Sequence, residues 1–164
     1  MIYEQIETAI VEWLQPQMPS GVSVVRMPEN EEDMQRPFAS AKVTVFYKGS
    51  KYHEPNSPSS IMRDTDAIIQ NETVIIEIAV QSRFLRATNK GVYDIWDKVR
   101  RRIVGYKPAD CNRIYARDFD YSAYQDGVFT YVGNVECNRL CVQEIEEEIL
   151  GVASQIDINY NILN

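Results

Sequence analysis

At 164 residues the chain is long enough for one domain with a real core, and its 45% hydrophobic and 25% charged composition is that of a globular protein. A net charge of −7 counts against general nucleic-acid binding, which needs Lys and Arg to neutralise phosphate, and suits a surface that nucleic acid slides past. No run reaches membrane-span length and the N-terminus lacks the basic and apolar regions of a signal peptide, so an intracellular protein is expected.

Ile2 to Leu14 reads as an amphipathic helix, with Ile2, Ile6, Ile10, Trp13 and Leu14 recurring at three- and four-residue intervals. Pro16 should stop it by disfavouring helical geometry at Gln15. A Pro19–Gly21 turn leads to a short strand, Val22 to Met27, and Pro28 to Pro37 reads as an acidic, solvated loop with room for one helical turn. Ala41 to Gly49 alternates as a core strand, with Val43, Val45 and Tyr47 on one face and Lys42, Thr44 and Lys48 on the other. Ser50 to Ser60, rich in Pro and Ser, reads as a long loop of the kind that is functional or disordered. Ile61 to Ile69 is expected to feed the next strand.

The stretch Glu72 to Ser82 is the centre of the fold. Val74, Ile76, Ile78 and Val80 share one face at period two, with Thr73, Glu77 and Gln81 on the other, as in a half-wet antiparallel strand. Thr88 should cap a helix to about Val104, with Val92, Ile95, Trp96, Val99 and Ile103 as its apolar stripe, Gly105 and Pro108 as its end, and Arg100, Arg101 and Arg102 in its last turn. Arg113–Tyr121 and Gly127–Leu140 flank a Gln125-Asp126-Gly127 turn, a hairpin signal. Beyond Val142 come the acidic run Glu144 to Glu148 and an alternating segment, Gln155 to Leu163, that presents Ile156, Ile158, Tyr160 and Ile162. These elements specify an α+β fold: a mainly antiparallel sheet of four to six strands, two main helices packed on it, and a C-terminal strand extension. Residues 1–141 make the domain and 142–164 the acidic segment and extension.

Candidate chemistry is sparse. Asp118 and Asp120, like Asp64 and Asp66, are two apart on an extended segment, so each pair projects from one face; exposed strand carboxylates explain this as well as an acid–base pair does. His53, the single histidine, has no GxSxG serine to serve. Cys111, Cys137 and Cys141 lack CxxC spacing and read as reduced structural thiols, without a metal site. No phosphate-cradling Gly-rich motif is present, and no cofactor is expected. The Arg100–Arg102 triplet reads either as a solvated helix end or as an ion-pairing surface for an acidic partner. The terminal strand needs a sheet edge, at home or on a neighbouring subunit. Ten tyrosines weakly favour interface use.

Several local sequences resemble the tail-terminator (tail-completion) proteins of Mu-like contractile-tailed phages and related phage-derived injection particles. They are Ile6–Ile10 (Ile-Glu-x-Ala-Ile), Pro28-Glu29 through Arg36-Pro37, the Tyr-x-Gly-Ser-x-Tyr of Val43–Tyr52, Val92–Val99, and Gly105–Pro108. The resemblance covers about residues 2–141; the segment from Val142 departs from it. It implies a non-enzymatic virion protein: a homo-oligomeric ring of six copies, assembled in the host cytoplasm. The ring would cap the tail tube and sheath, join the neck or head connector, and let DNA through its bore unbound. Ser50, Lys51, Tyr52 and His53, in the loop, become candidates for an arm contacting the tube or the next subunit. Arg100, Arg101, Arg102 and the terminal Ile156, Ile158, Tyr160 and Ile162 become further interface candidates. The alternatives are a small metal-dependent hydrolase or nuclease using Asp64, Asp118 or Asp120, and a monomeric peptide-binding module.

Overall fold

A computed structural model describes residues 1–54 and 69–142. Its elements run α1 (Ile2–Leu14), a 3-10 turn (Gln15–Gln17), β1 (Val22–Arg26), α2 (Glu31–Met34), β2 (Ala41–Tyr52), β3 (Ile69–Ser82), α3 (Val92–Ile103), β4 (Tyr115–Gln125) and β5 (Val128–Val142). The five strands form one open mixed sheet in the order β1-β2-β3-β5-β4, and the fold is α+β as expected. One pair, β1 with β2, is parallel and the other three are antiparallel, so the sheet is mainly antiparallel as expected.

The period-two reading of the central strand holds. Val74, Ile76, Ile78 and Val80 are fully buried, and the register sets Val80 against Val43 of β2 and Ile76 against Val135 of β5. α1 lies over β1 and β2, and α3 over β3 and β5, so both helices cover this face. They contribute Ile6, Ile10 and Leu14 from α1, and Val92, Ile95, Val99 and Ile103 from α3. Each such side chain contributes about 1.5–3 kcal/mol on leaving water. Where α3 crosses β5, Trp96 sits directly on Gly133 and stacks on Phe119 of β4, with ring centroids 4.2 Å apart and planes 1° from parallel.

Several boundaries differ from the sequence reading. α1 ends at Leu14 as expected, but Gln15 stays in the α region, its N–H reaching Val11 O, and Pro16 is the second residue of the following 3-10 turn, where its missing N–H has no partner to lose. Lys42 and Thr44 are buried rather than wet, because the segment joining β1 to β2 crosses that face and Lys42 Nζ donates to Met34 O at 3.3 Å. The α3 N-cap is Gly91, not Thr88; Asp94 instead accepts the Asn89 N–H at 2.7 Å. The β4–β5 turn is as expected, with Asp126 and Gly127 at φ 52° and 77°, the left-handed pair that twists with its strands. The expected extended segment 61–68 lies outside the described residues, as do the acidic run Glu144–Glu148 and the alternating segment Gln155–Leu163.

Both outer edges of the sheet are blunted. On β1 the Gln15 carboxamide stands in for a neighbouring strand: its oxygen accepts the Val24 N–H at 2.6 Å and its Nε2 donates to Val22 O at 3.3 Å. Gln15→Ala is expected to cost about 1 kcal/mol, read as a lower urea midpoint at unchanged slope. On β4, register shifts at Ala116/Asp118 and Tyr121/Ala123, with the charges of Arg117, Asp118 and Asp120, discourage a further strand.

Candidate interaction surface

Beyond the cover of β1 and β4 the three central strands run on together. β1 pairs only with Ala41–Val45, and β4 reaches β5 only as far as Glu136. β2, β3 and β5 continue to Tyr52, Ile69 and Val142. Among the described residues the result is an arm, three-stranded as far as Tyr52 and two-stranded beyond it, that exposes Tyr52, Ile69, Leu140 and Val142, the last two by 59% each. Ser50, Lys51 and Tyr52, expected in a loop, are therefore strand residues, paired with Val74, Thr73 and Glu72.

A bulge between Tyr47 and Gly49 decides which way these residues point. Strict alternation from Tyr47 would turn Ser50 and Tyr52 to the helix-free face; the extra residue turns them toward the helices. There they meet Glu72, which shares the parity of Val74 and Ile76 and is fully buried. Ser50 Oγ and Tyr3 Oη both donate to Glu72 Oε1, the latter at 2.7 Å, and Tyr3 Oη also meets Tyr52 Oη at 3.0 Å. Cys141 Sγ donates to Oε2 at 3.0 Å, and the Arg139 guanidinium stands 3.6 Å from the same oxygen. Burial pushes the Glu72 carboxyl up; the hydrogen bonds from Cys141, Ser50 and Tyr3 and the charge of Arg139 outweigh it and hold it below the usual carboxylate range. The same contacts raise the Tyr3 phenol, first through Tyr52, then burial and Glu72, and burial followed by the Glu72 bond raises the Cys141 thiol. One carboxylate thus ties α1, β2 and β5 to β3 at the base of the arm.

On the opposite face the exposed His53, just past β2, is held by hydrogen bonds. Its N–H reaches Asn71 O at 2.9 Å, its Nε2 meets Thr73 Oγ1 at 2.8 Å, and its carbonyl accepts from Gln70 Nε2 at 2.8 Å. Thr73 Oγ1 passes the chain to Asn138 Oδ1 at 2.7 Å. The structure therefore brings Ser50, Lys51, Tyr52 and His53 together on the arm. Arg100–Arg102 lie elsewhere, at the end of α3. Arg100 and Arg101 both pair with Asp97, at 3.0 and 2.8 Å, and hold its carboxyl below the usual range. Ile156, Ile158, Tyr160 and Ile162 lie outside the described residues.

The carboxylates considered for catalysis are committed to the scaffold or stand apart. Asp118 Oδ1 accepts from Asn134 Nδ2 at 2.6 Å, and Asp120 is exposed farther along β4; Asp64 and Asp66 lie outside the described residues. A wide cleft of about 1170 Å³ opens beside β1, but Glu4 there pairs with Arg26, Glu7 accepts the Tyr47 N–H, and Asp33 pairs with Arg36. Among the described residues no three His, Cys, Asp or Glu side chains converge as metal ligands, and no helix is long and apolar enough to cross a membrane. Cys111, Cys137 and Cys141 are free thiols.

The sequence reading missed Glu72, Tyr3, Arg139 and Cys141. The signal was parity: Glu72 falls in register with four buried aliphatics, and Arg139 and Cys141 fall in register with Val135 and Cys137.

Comparison with known proteins adds a family. The family model described as Gp37 protein matches residues 10–160, well past Val142. No curated protein matches.

Proposed function

Since the chain belongs to the Gp37 protein family, a phage protein family, we propose that it is a structural tail-terminator protein. In this reading it forms a ring of about six copies that ends the tail tube and sheath and joins them to the neck or head connector, and it acts through surfaces rather than through a reaction; that copy number is carried over from the sequence resemblance, and a closed ring of like copies is an ordinary symmetric assembly. The observation that carries it is the arm. A stranded projection with exposed Tyr52, Ile69, Leu140 and Val142 is costly for a protein that works alone, and it suits a subunit that grips the next ring of an assembly. The buried Glu72 tie supports the reading, because an arm must be stiff to set a docking geometry. An acidic chain of net charge −7 suits a bore through which DNA passes unbound.

The test is Leu140→Glu with Val142→Glu. Both side chains are exposed, so the thermal midpoint should hold within a few degrees. Capping of tail tubes, scored as the tail-length distribution and as head joining, should fail. Tails of normal length that join heads with this variant would overturn the reading.

A further inference from the structure

We propose that a second copy of this chain docks through its acidic Glu29–Asp33 segment onto a basic, aromatic patch around the loop after β3; this deepens the ring reading and rests on it. The patch is built from the loop after β3 and the start of α3. Arg83, Arg86 and Lys90 stand in a nine-residue loop, 83–91, without a single acid, and none of the three has an ion pair among the described residues. Between them stand exposed rings. Lys90 Nζ lies 4.2 Å over Phe84, and the Arg86 guanidinium lies 6.0 Å over Tyr93. Tyr93 and the 58%-exposed Tyr121 both meet Tyr131 edge-on, at 5.7 and 5.6 Å. The one acid beside them, Asp94, is paired with Lys98 at 2.5 Å, and Arg with Tyr and Phe is the composition of an interface centre rather than of ordinary surface.

The complementary charge is on the same molecule, and no ion pair among the described residues joins it to the patch. Glu29, Glu31, Glu32 and Asp33 follow β1; Arg36 neutralises Asp33, and the three glutamates have no ion pair among the described residues. β1 lies at one edge of the sheet; loop 83–91 leaves β3, the middle strand, two spacings or about 10 Å away, and Tyr121 stands on β4 at the other edge. A contact between these unlike surfaces of two copies is head-to-tail, and such contacts close into rings when the rotation allows. Because both sheet edges are blunted, the copies meet through side chains rather than by a continuous backbone ladder.

Charge exchange tests this. Arg83→Glu with Arg86→Glu, and separately Glu31→Arg with Glu32→Arg, should each raise the self-association midpoint in concentration-dependent light scattering by about tenfold or more. All four positions are exposed, so thermal midpoints should be unchanged. Mixing the two variants in equal amounts should restore assembly, because alternating copies again present opposite charges at every contact. If either variant assembles normally, or the mixture stays dissociated, the proposal is overturned while the ring reading stands. A patch variant that assembles normally yet loses retention on duplex DNA overturns it in favour of a polyanion. A wild-type chain that stays monomeric at every concentration, alone and on tube ends, removes the proposal and the ring together.

Discussion

Glu72→Ala is expected to lower the free energy of unfolding by about 3 kcal/mol near neutral pH, because it leaves the largely buried Arg139 guanidinium without its counter-charge and strands three donors at once. Arg139 already has one buried atom, Nε, without a hydrogen-bond partner among the described residues, so it has little capacity to find another. The penalty should depend on pH in a stated direction. Glu72 titrates below its ordinary 4.5 in the folded chain, so its contribution is complete above that value and is lost as the pH falls through the lower, folded one. Urea titrations of wild type and variant should therefore differ fully near neutral pH and converge as the medium is acidified below the folded value. An equal penalty at both would show that the charge of Glu72 has no part in holding the arm.

Trp96→Ala should cost a similar amount, about 3–4 kcal/mol, for a different reason. The indole rests on the bare backbone of Gly133 and is stacked against Phe119, so truncation opens a cavity that reaches down to the sheet. Adding to the partner is also expected to fail. A Cβ at Gly133 would stand against Cη2 of the indole, too close for any atom, and the ring is held against Phe119 on its other side, so Gly133→Val should cost about 2–3 kcal/mol. The two changes should not add. With Trp96 shortened, the valine fills part of the vacated space, and the double variant should be more stable than the sum of the singles by about 1–2 kcal/mol. Additive losses in a double-mutant cycle would show that the residues do not form one packing unit.

The parts of the fold that were legible in the sequence are those where one local period decides. The α1 span, the buried parity of Val74–Val80, the apolar stripe of α3 and the Asp126-Gly127 turn each follow from side-chain spacing or from the sign of φ. What was not legible depends on pairing. The parallel placement of β1 comes from a crossover, and the burial of Lys42 and Thr44 comes from the chain that crosses over them. The strand character of Ser50–Tyr52 comes mainly from β3, since Ser50 and Lys51 carry no strand preference of their own and only Tyr52 does. The candidate surface was half legible. Ser50 to His53 were found as a group, but the tie that fixes them was not, because a carboxylate at a buried parity reads as polar until its partners from α1 and β5 are placed around it. The basic, aromatic patch gave no periodic signal, because its members come from a loop, a helix and two strands.

The bulge beside Gly49 also limits how the arm can change length. Side chains alternate along each of its strands, so inserting or deleting a single residue beyond the bulge would turn Tyr52 away from Tyr3 and bring Lys51 against a carboxylate tie built for hydroxyls. Relatives with a longer or shorter reach should therefore differ by matched pairs of residues in each strand, in steps of about 7 Å. The projection behaves as a ruler with coarse graduations, and intermediate lengths are denied to it by parity alone.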